Sequence, residues 1–393
     1  MEQESLWNSN YLKIWFGNFL INFSFTLIVP LLPLYLTETF GASKQTTGIC
    51  LAGYSVMALI IRPFSGYIVD TFPRKAVLII CNFVFFAIFA GYLAAGSLTM
   101  FTIFRTLHGA PFGATTVAAS TVAIDVLPSN RRTEGIGYYG LSNNLAMALG
   151  PVLAIYCLQA FSGNFKALFW LSFGISFIGL ILDSTIKHPK KDFVPDKRVL
   201  SFDRFFLLSG WREAISMVCF AFSFGVVSTY VAIYSKEELG ITSGTGIFFV
   251  LLAAGLIISR LTGVHALRKN QVSRNATIGV LISIWGYLIF AAFHTQACFY
   301  ATALIIGLGN GHMYPAFQNM FINLAENNQR GTANSSILTS WDAGFGLGVL
   351  AGGLLSGHFG FHAAFWGAFI MNAIGVAYYF ISVRNHFETN KLR

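Results

Sequence analysis

The sequence predicts an all-α membrane protein of twelve transmembrane helices arranged as two six-helix halves, and three observations carry that reading. Hydrophobic residues make up 55% of the 393, while only 10% carry charge, against about 25% in a typical soluble domain. The apolar residues fall in long continuous runs, and the Lys and Arg residues sit between the runs. A water-soluble chain of 43.1 kDa must clothe its core in ionised side chains. So sparse a charged surface excludes an ordinary soluble enzyme.

A helix needs about 20 apolar residues to cross the hydrocarbon core, and the runs divide accordingly. Spans 1 to 3 are expected near 13–36, 46–69 and 76–95, with Arg74 and Lys75 between the last two. Spans 4 to 6 follow near 99–124, 135–158 and 165–186, with Arg131 and Arg132 closing span 4. Spans 7 to 9 are expected near 213–235, 244–267 and 275–294, and spans 10 to 12 near 296–322, 333–356 and 361–383. Barrel strands would alternate polar and apolar residues over about ten positions, which these runs do not do.

Orientation follows from the basic residues, because short cytoplasmic loops collect them. With both termini in the cytoplasm, nineteen of the 25 Lys and Arg residues fall on that side, and only Lys44, Lys166 and Lys236 lie in opposite loops. Arg62, Arg105 and Arg260 lie within spans. The net charge of +9 is thus an orientation signal, and no single basic face indicates nucleic acid. The N-terminus has acids before its first lysine and no small-residue cleavage site, so span 1 is expected to stay as an anchor. Five scattered cysteines without CxxC spacing indicate neither a metal site nor a disulfide framework.

Residues 184–212 interrupt the rhythm with seven basic residues and two prolines. They read as a solvated cytoplasmic linker, with anionic lipid a possible partner, between an N-terminal half (1–183) and a C-terminal half (213–393). Sliding the sequence on itself by 198 residues superposes Arg62 on Arg260, Gly109 on Gly307, Gly113 on Gly311, Arg132 on Arg330 and Gly150 on Gly348. Duplicated halves of this kind build a central path, with the site near the bilayer midplane.

Between spans 2 and 3 stand Gly66, Asp70, Arg74 and Lys75. A glycine allows close helix approach, and the charges form pairs that break when the halves rock. This loop resembles the hallmark of the major facilitator superfamily, Gly-x-x-x-Asp-(Arg/Lys)-x-Gly-(Arg/Lys)-(Arg/Lys), with Thr71 and Pro73 departing from it. Span 4 carries Arg105, Gly109 and Gly113, similar to that family's Arg-x-x-x-Gly pattern. Gly150-Pro151 in span 5 resembles the core of the antiporter motif of drug and metabolite exporters, with Leu153 and Ala154 in place of closing glycines. The resemblance covers the whole chain and implies a twelve-span drug or metabolite:proton antiporter of the cytoplasmic membrane, without cofactor and monomeric.

Of sixteen acids, Asp342 stands deepest within a span, roughly 14 Å along span 11 at 1.5 Å per residue. A charge at that depth is costly, so Asp342 is either the proton-coupling acid or a hydrogen-bonded tie. Arg105, about six positions into span 4, is read as a coupling partner or a substrate contact, the alternative being a structural link to carbonyls. Arg62 and Arg260, near the cytoplasmic ends of spans 2 and 8, join the cytoplasmic gate. Asn18 and Asn22 share one face of span 1. With Asn143, Asn144 and Tyr138 on span 5, Asn310, His312, Tyr314 and Gln318 on span 10, and Trp341 on span 11, they either line a wet path or tie helices together.

Two functions follow in order: proton-driven export of a small organic solute by alternating access, then proton-coupled uptake of a sugar or organic anion. An intramembrane enzyme needs paired carboxylates, a His-Glu metal set or a Ser/Lys pair at depth, and the sequence offers none.

Overall fold

The computed structural model describes residues 6–128, 132–187, 206–241, 245–268, 271–325 and 330–392, and these form helices joined by short connections, with no strand among them. The helices are α1 (Ser9–Ile28), α2 (Leu32–Phe40), α3 (Lys44–Thr71), α4 (Arg74–Ala94), α5 (Leu98–Val126), α6 (Arg132–Ala160) and α7 (Phe165–Ser184). They continue as α8 (Trp211–Glu237), α9 (Thr245–Arg268), α10 (Val272–Ala292), α11 (Gln296–Leu324), α12 (Arg330–Tyr378) and α13 (Arg384–Asn390). Among the described residues, eight helices are long and apolar enough to cross a membrane. Large apolar side chains stand on the outside, Ile381 being 80% exposed and Trp285 61%, as expected where lipid is the solvent.

Three expected spans are drawn differently from the sequence pattern. The first run is broken by a 3-10 turn at Val29–Leu31, where Pro30 and Pro33 withhold the N–H groups a continuous helix requires. Its second piece, α2, stops at Gly41 in the left-handed conformation, φ 63°. Spans 11 and 12 meet without a loop. Within α12 only Gly360 leaves helical geometry, at φ 84° and ψ 170°, a combination that glycine alone adopts without strain. The expected linker falls largely outside the described residues, taking Lys190, Lys191, Lys197, Arg198 and Arg204 with it.

The chain divides into two compact units, residues 1–29 with 57–200 and residues 30–56 with 201–393. In the first unit Tyr11, Ile14, Leu78, Ala118, Val122 and Ala123 form one core. In the second, Met217, Phe220, Met313, Phe317, Phe321, Ile337 and Tyr379 form another. Segment 30–56 packs with the second unit, so α3 starts in one unit and ends in the other.

The 198-residue repeat is realised as packing inside each unit. A Cβ on Gly113 of α5 would lie 3.2 Å from the Ala58 carbonyl of α3, and one on Gly311 of α11 would lie 3.1 Å from Leu256 Cα of α9. Likewise Gly150 of α6 abuts Thr26 of α1, with 2.8 Å to its carbonyl carbon, and Gly348 of α12 abuts Phe222 of α8, with 2.8 Å to its carbonyl carbon. Lipid removes the hydrophobic drive between helices, so close backbone approach of this kind carries the association.

Candidate functional site

In the first unit α1 and α6 are laced by amides. Asn18 Nδ2 donates to Ser142 Oγ at 2.7 Å and to Asn143 Oδ1 at 2.6 Å. Asn22 Nδ2 donates back to the Asn18 carbonyl at 2.8 Å, and Thr26 Oγ1 to the Ala146 carbonyl at 2.8 Å. One helical face of α1 thus meets the small-residue run that holds Gly150 and Pro151. Asn144 is partly buried, and Tyr138 is 40% exposed, its carbonyl accepting from Trp15 Nε1 at 2.8 Å.

Arg105 is buried on α5, with its guanidinium carbon 5.1 Å from the Phe25 ring centroid, a cation–π arrangement. One turn on, fully buried His108 meets the Tyr92 hydroxyl through Nδ1 at 2.8 Å, and Phe85 and Phe89 crowd its ring. The cation and imidazole therefore lie in an aromatic cage. Gly109 and Gly113 on the same helix are buried.

At one end of this unit Arg74 Nη1 meets both oxygens of Asp125, at 2.8 and 2.9 Å. Asp125 ends α5 and its side chain is only 5% exposed. Arg62, also buried, points Nη1 at Thr116 Oγ1, 3.4 Å away. Lys75 is partly exposed beside Arg74. Gly66 falls within α3, while the side chains of Asp70 and Arg260 lie outside the described residues; of the residues expected at the gate, side chains are described for Arg62, Arg74 and Lys75.

The second unit places Asp342 partly buried on α12. The preceding Trp341 stands edge-on to Tyr314 of α11, with centroids 5.2 Å apart and planes at 90°, and 5.6 Å from Phe224 of α8. Gln318 is partly buried one turn from Tyr314. Trp341, Tyr314 and Phe224 thus form an aromatic cluster across α12, α11 and α8, and Asp342 follows Trp341 in the chain. His312 stands apart as a helix tie. Its Nδ1 meets Asn275 Oδ1 at 2.8 Å, its Nε2 meets Thr262 Oγ1 at 3.2 Å, and its carbonyl accepts from Asn275 Nδ2 at 3.0 Å, joining α9, α10 and α11. Asn310 is buried on the same helix.

Two buried acids escaped sequence reasoning. Asp183, 1% exposed at the end of α7, accepts from Asn82 Nδ2 at 2.6 Å, and its other oxygen has no hydrogen-bond partner among the described residues. Glu213, fully buried in the first turn of α8, contacts His386 Nδ1 of α13 at 2.9 Å. Both stand at span ends, where an acid reads as a loop residue. Their apolar flanks, Ile181-Leu182 and Ala214-Ile215, were the available signal. The five cysteines form no disulfide, and no group of three His, Cys, Asp or Glu residues suited to a metal converges among the described residues.

The sequence profile of the Major Facilitator Superfamily matches residues 14–342 and 272–392. The multi-drug resistance efflux pump PmrA of Streptococcus pneumoniae is 22% identical over 98% of this chain and 99% of its own. The quinolone resistance protein NorA of Staphylococcus aureus is 23% identical over 88% of this chain and 90% of its own. Among solved structures, the human organic anion transporter MFSD10 superposes with a TM-score of 0.75 at 15% identity, covering 94% of this chain and 98% of that one. With a family profile spanning the chain and apolar helices to match, the protein belongs to the Major Facilitator Superfamily: it is a multi-pass membrane transporter and not an enzyme.

Proposed function

We propose that the chain exports a small organic solute from the cytoplasm in exchange for protons, by alternating access between halves 1–183 and 213–393 joined by linker 184–212. The observation that carries this reading is Asp342 inside α12, next in sequence to Trp341, whose ring meets Tyr314 of α11. An acid inside a span is functional by default, and aromatic faces accept varied flat solutes. The similarity to PmrA, a multi-drug resistance efflux pump, and to NorA, a quinolone resistance protein, supports export.

In this scheme twelve spans place both termini in the cytoplasm, and the transporter works as a monomer in the lipid of the cytoplasmic membrane. Asp342 takes the proton, and Arg105 is a second proton-coupling residue. Asn18, Asn22, Asn143, Asn144, Tyr138, Asn310, His312, Tyr314, Gln318 and Trp341 line the path or hold it together. Gly66, Asp70, Arg74, Lys75, Arg62 and Arg260 form the cytoplasmic gate, while Gly109, Gly113, Gly150 and Pro151 let the helices bend and slide.

Proteoliposomes with an internal pH dye test the scheme. A fluoroquinolone added to wild type drives proton movement, and Asp342→Asn abolishes it while retaining quinolone binding. Undiminished proton movement in Asp342→Asn sinks the coupling role.

A further inference from the structure

Three connections of the second unit converge: the C-terminal turn of α8, the α10–α11 turn and the Gly360 kink of α12. There the rings of His294 and His362 pack with centroids 3.6 Å apart and planes at 76°. His362 Nε2 lies 3.4 Å from Glu238 Oε2, and His294 Nδ1 lies 3.3 Å from the neutral Tyr234 hydroxyl. Partial desolvation at the turn, and secondarily the neighbouring His362, hold His294 below the usual imidazole range.

The same turn of α8 grips segment 30–56. Glu237 pairs with Lys44 at 2.7 Å, and Lys236 pairs with Glu38. The Lys44 ammonium also sits 4.0 Å over the ring of Phe361, the residue next to His362. A few turns away the Tyr230 hydroxyl donates to the Val349 carbonyl at 2.9 Å, where Gly48 and Gly353 pass at backbone contact. The histidine pair is thus one residue from a cation that anchors the segment.

We propose that His294 and His362 form a proton-binding latch: holding at most one proton they keep residues 30–56 on the second unit, and a second proton releases them. Glu238 faces His362 and can pair with one imidazolium of the couple. With a second proton on the pair, His294 faces only the Tyr234 hydroxyl and an adjoining cation, and two imidazolium rings at this spacing repel. Relief comes by parting the α10–α11 turn from the α12 kink, which draws Phe361 from beneath Lys44 and weakens the Lys44–Glu237 grip. The closed form binds fewer protons than the released one, so the latch is fully held above the ordinary histidine pKa, ~6.5. It weakens as pH falls through that value toward the lower one of packed His294.

Hydrogen-exchange mass spectrometry of the full chain in lipid nanodiscs tests this, comparing wild type with His362→Gln at matched pH so that intrinsic exchange chemistry cancels. The wild-type to variant ratio for peptides within residues 30–56 is expected near one at about pH 8 and severalfold above one at about pH 5.5. His294→Gln is expected to give the same pattern, and Lys44→Gln to exchange faster than wild type at both pH values. A ratio near one at both pH values, or Lys44→Gln no faster than wild type at about pH 8, overturns the latch. Neither result bears on export, which is read from proton movement through Asp342.

Discussion

Replacing Gly279 by alanine tests whether backbone contact between α10 and α11 holds the second unit. An added Cβ would stand 2.5 Å from the Met313 nitrogen and 2.9 Å from both Met313 Cα and the Gly309 carbonyl oxygen. All three are backbone atoms of one helix, so no side chain can swing aside. Reaching an ordinary 3.4 Å separation moves the helices apart by about 1 Å, which loosens a close-packed interface. The facing contact, Gly309 against Ser283 Cβ at 2.8 Å, opens with it. Overpacking of this type costs about 1–3 kcal/mol, and the helix propensity gained on Gly→Ala returns about 1 kcal/mol at most. The net expectation is a loss of about 1–2 kcal/mol, read as a lower melting temperature of the detergent-purified protein. Gly174→Ala in α7 is the matched control, because nothing lies within 4 Å of its Cβ position; it should melt at or above wild type. Equal melting of Gly279→Ala and wild type, or an equal loss in both variants, would refute the reasoning.

Two further outcomes are expected. Arg74→Gln and Asp125→Asn should each lower stability, with a coupling of about 1 kcal/mol in a double-mutant cycle, discounted from a fully buried pair because Arg74 is 35% exposed; strict additivity would show that the contact contributes nothing. Asn82→Leu should cost about 1–3 kcal/mol by stripping Asp183 of its donor, whereas Asp183→Asn keeps an acceptor oxygen and should cost under about 1 kcal/mol, both measured by thermal unfolding.

The helices themselves were legible because an apolar run of about 20 residues bounded by charge has few alternatives. The break at Val29–Leu31 was not, since prolines within an apolar run leave its hydropathy unchanged. Nor was the allegiance of residues 30–56, because a hydrophobic pattern reports that a face is covered and is silent about what covers it. On α1, Asn18 and Asn22 could be placed on one face by their spacing. Asp183 could not: its donor Asn82 is 101 positions away. Glu213 finds His386 across 173 positions, and Arg74 finds Asp125 across 51. Long-range partners of span-end charges are set by helix packing, which one sequence encodes only diffusely.

That residues 30–56 build with residues 201–393 has a consequence for biosynthesis. A ribosome adding about 5–20 residues per second delivers this early segment roughly 7–30 s before the first residue of its eventual neighbours. Throughout that interval Tyr35 and Leu36, buried in the finished molecule, lack their neighbours from α8, and Glu38 and Lys44 lack counterions from it. The nascent chain must either park this segment against lipid or a chaperone, or leave α2 and the start of α3 incompletely assembled. Correct insertion of the first hairpin is therefore completed only late in synthesis, and a truncated chain would betray itself to quality control through its own beginning.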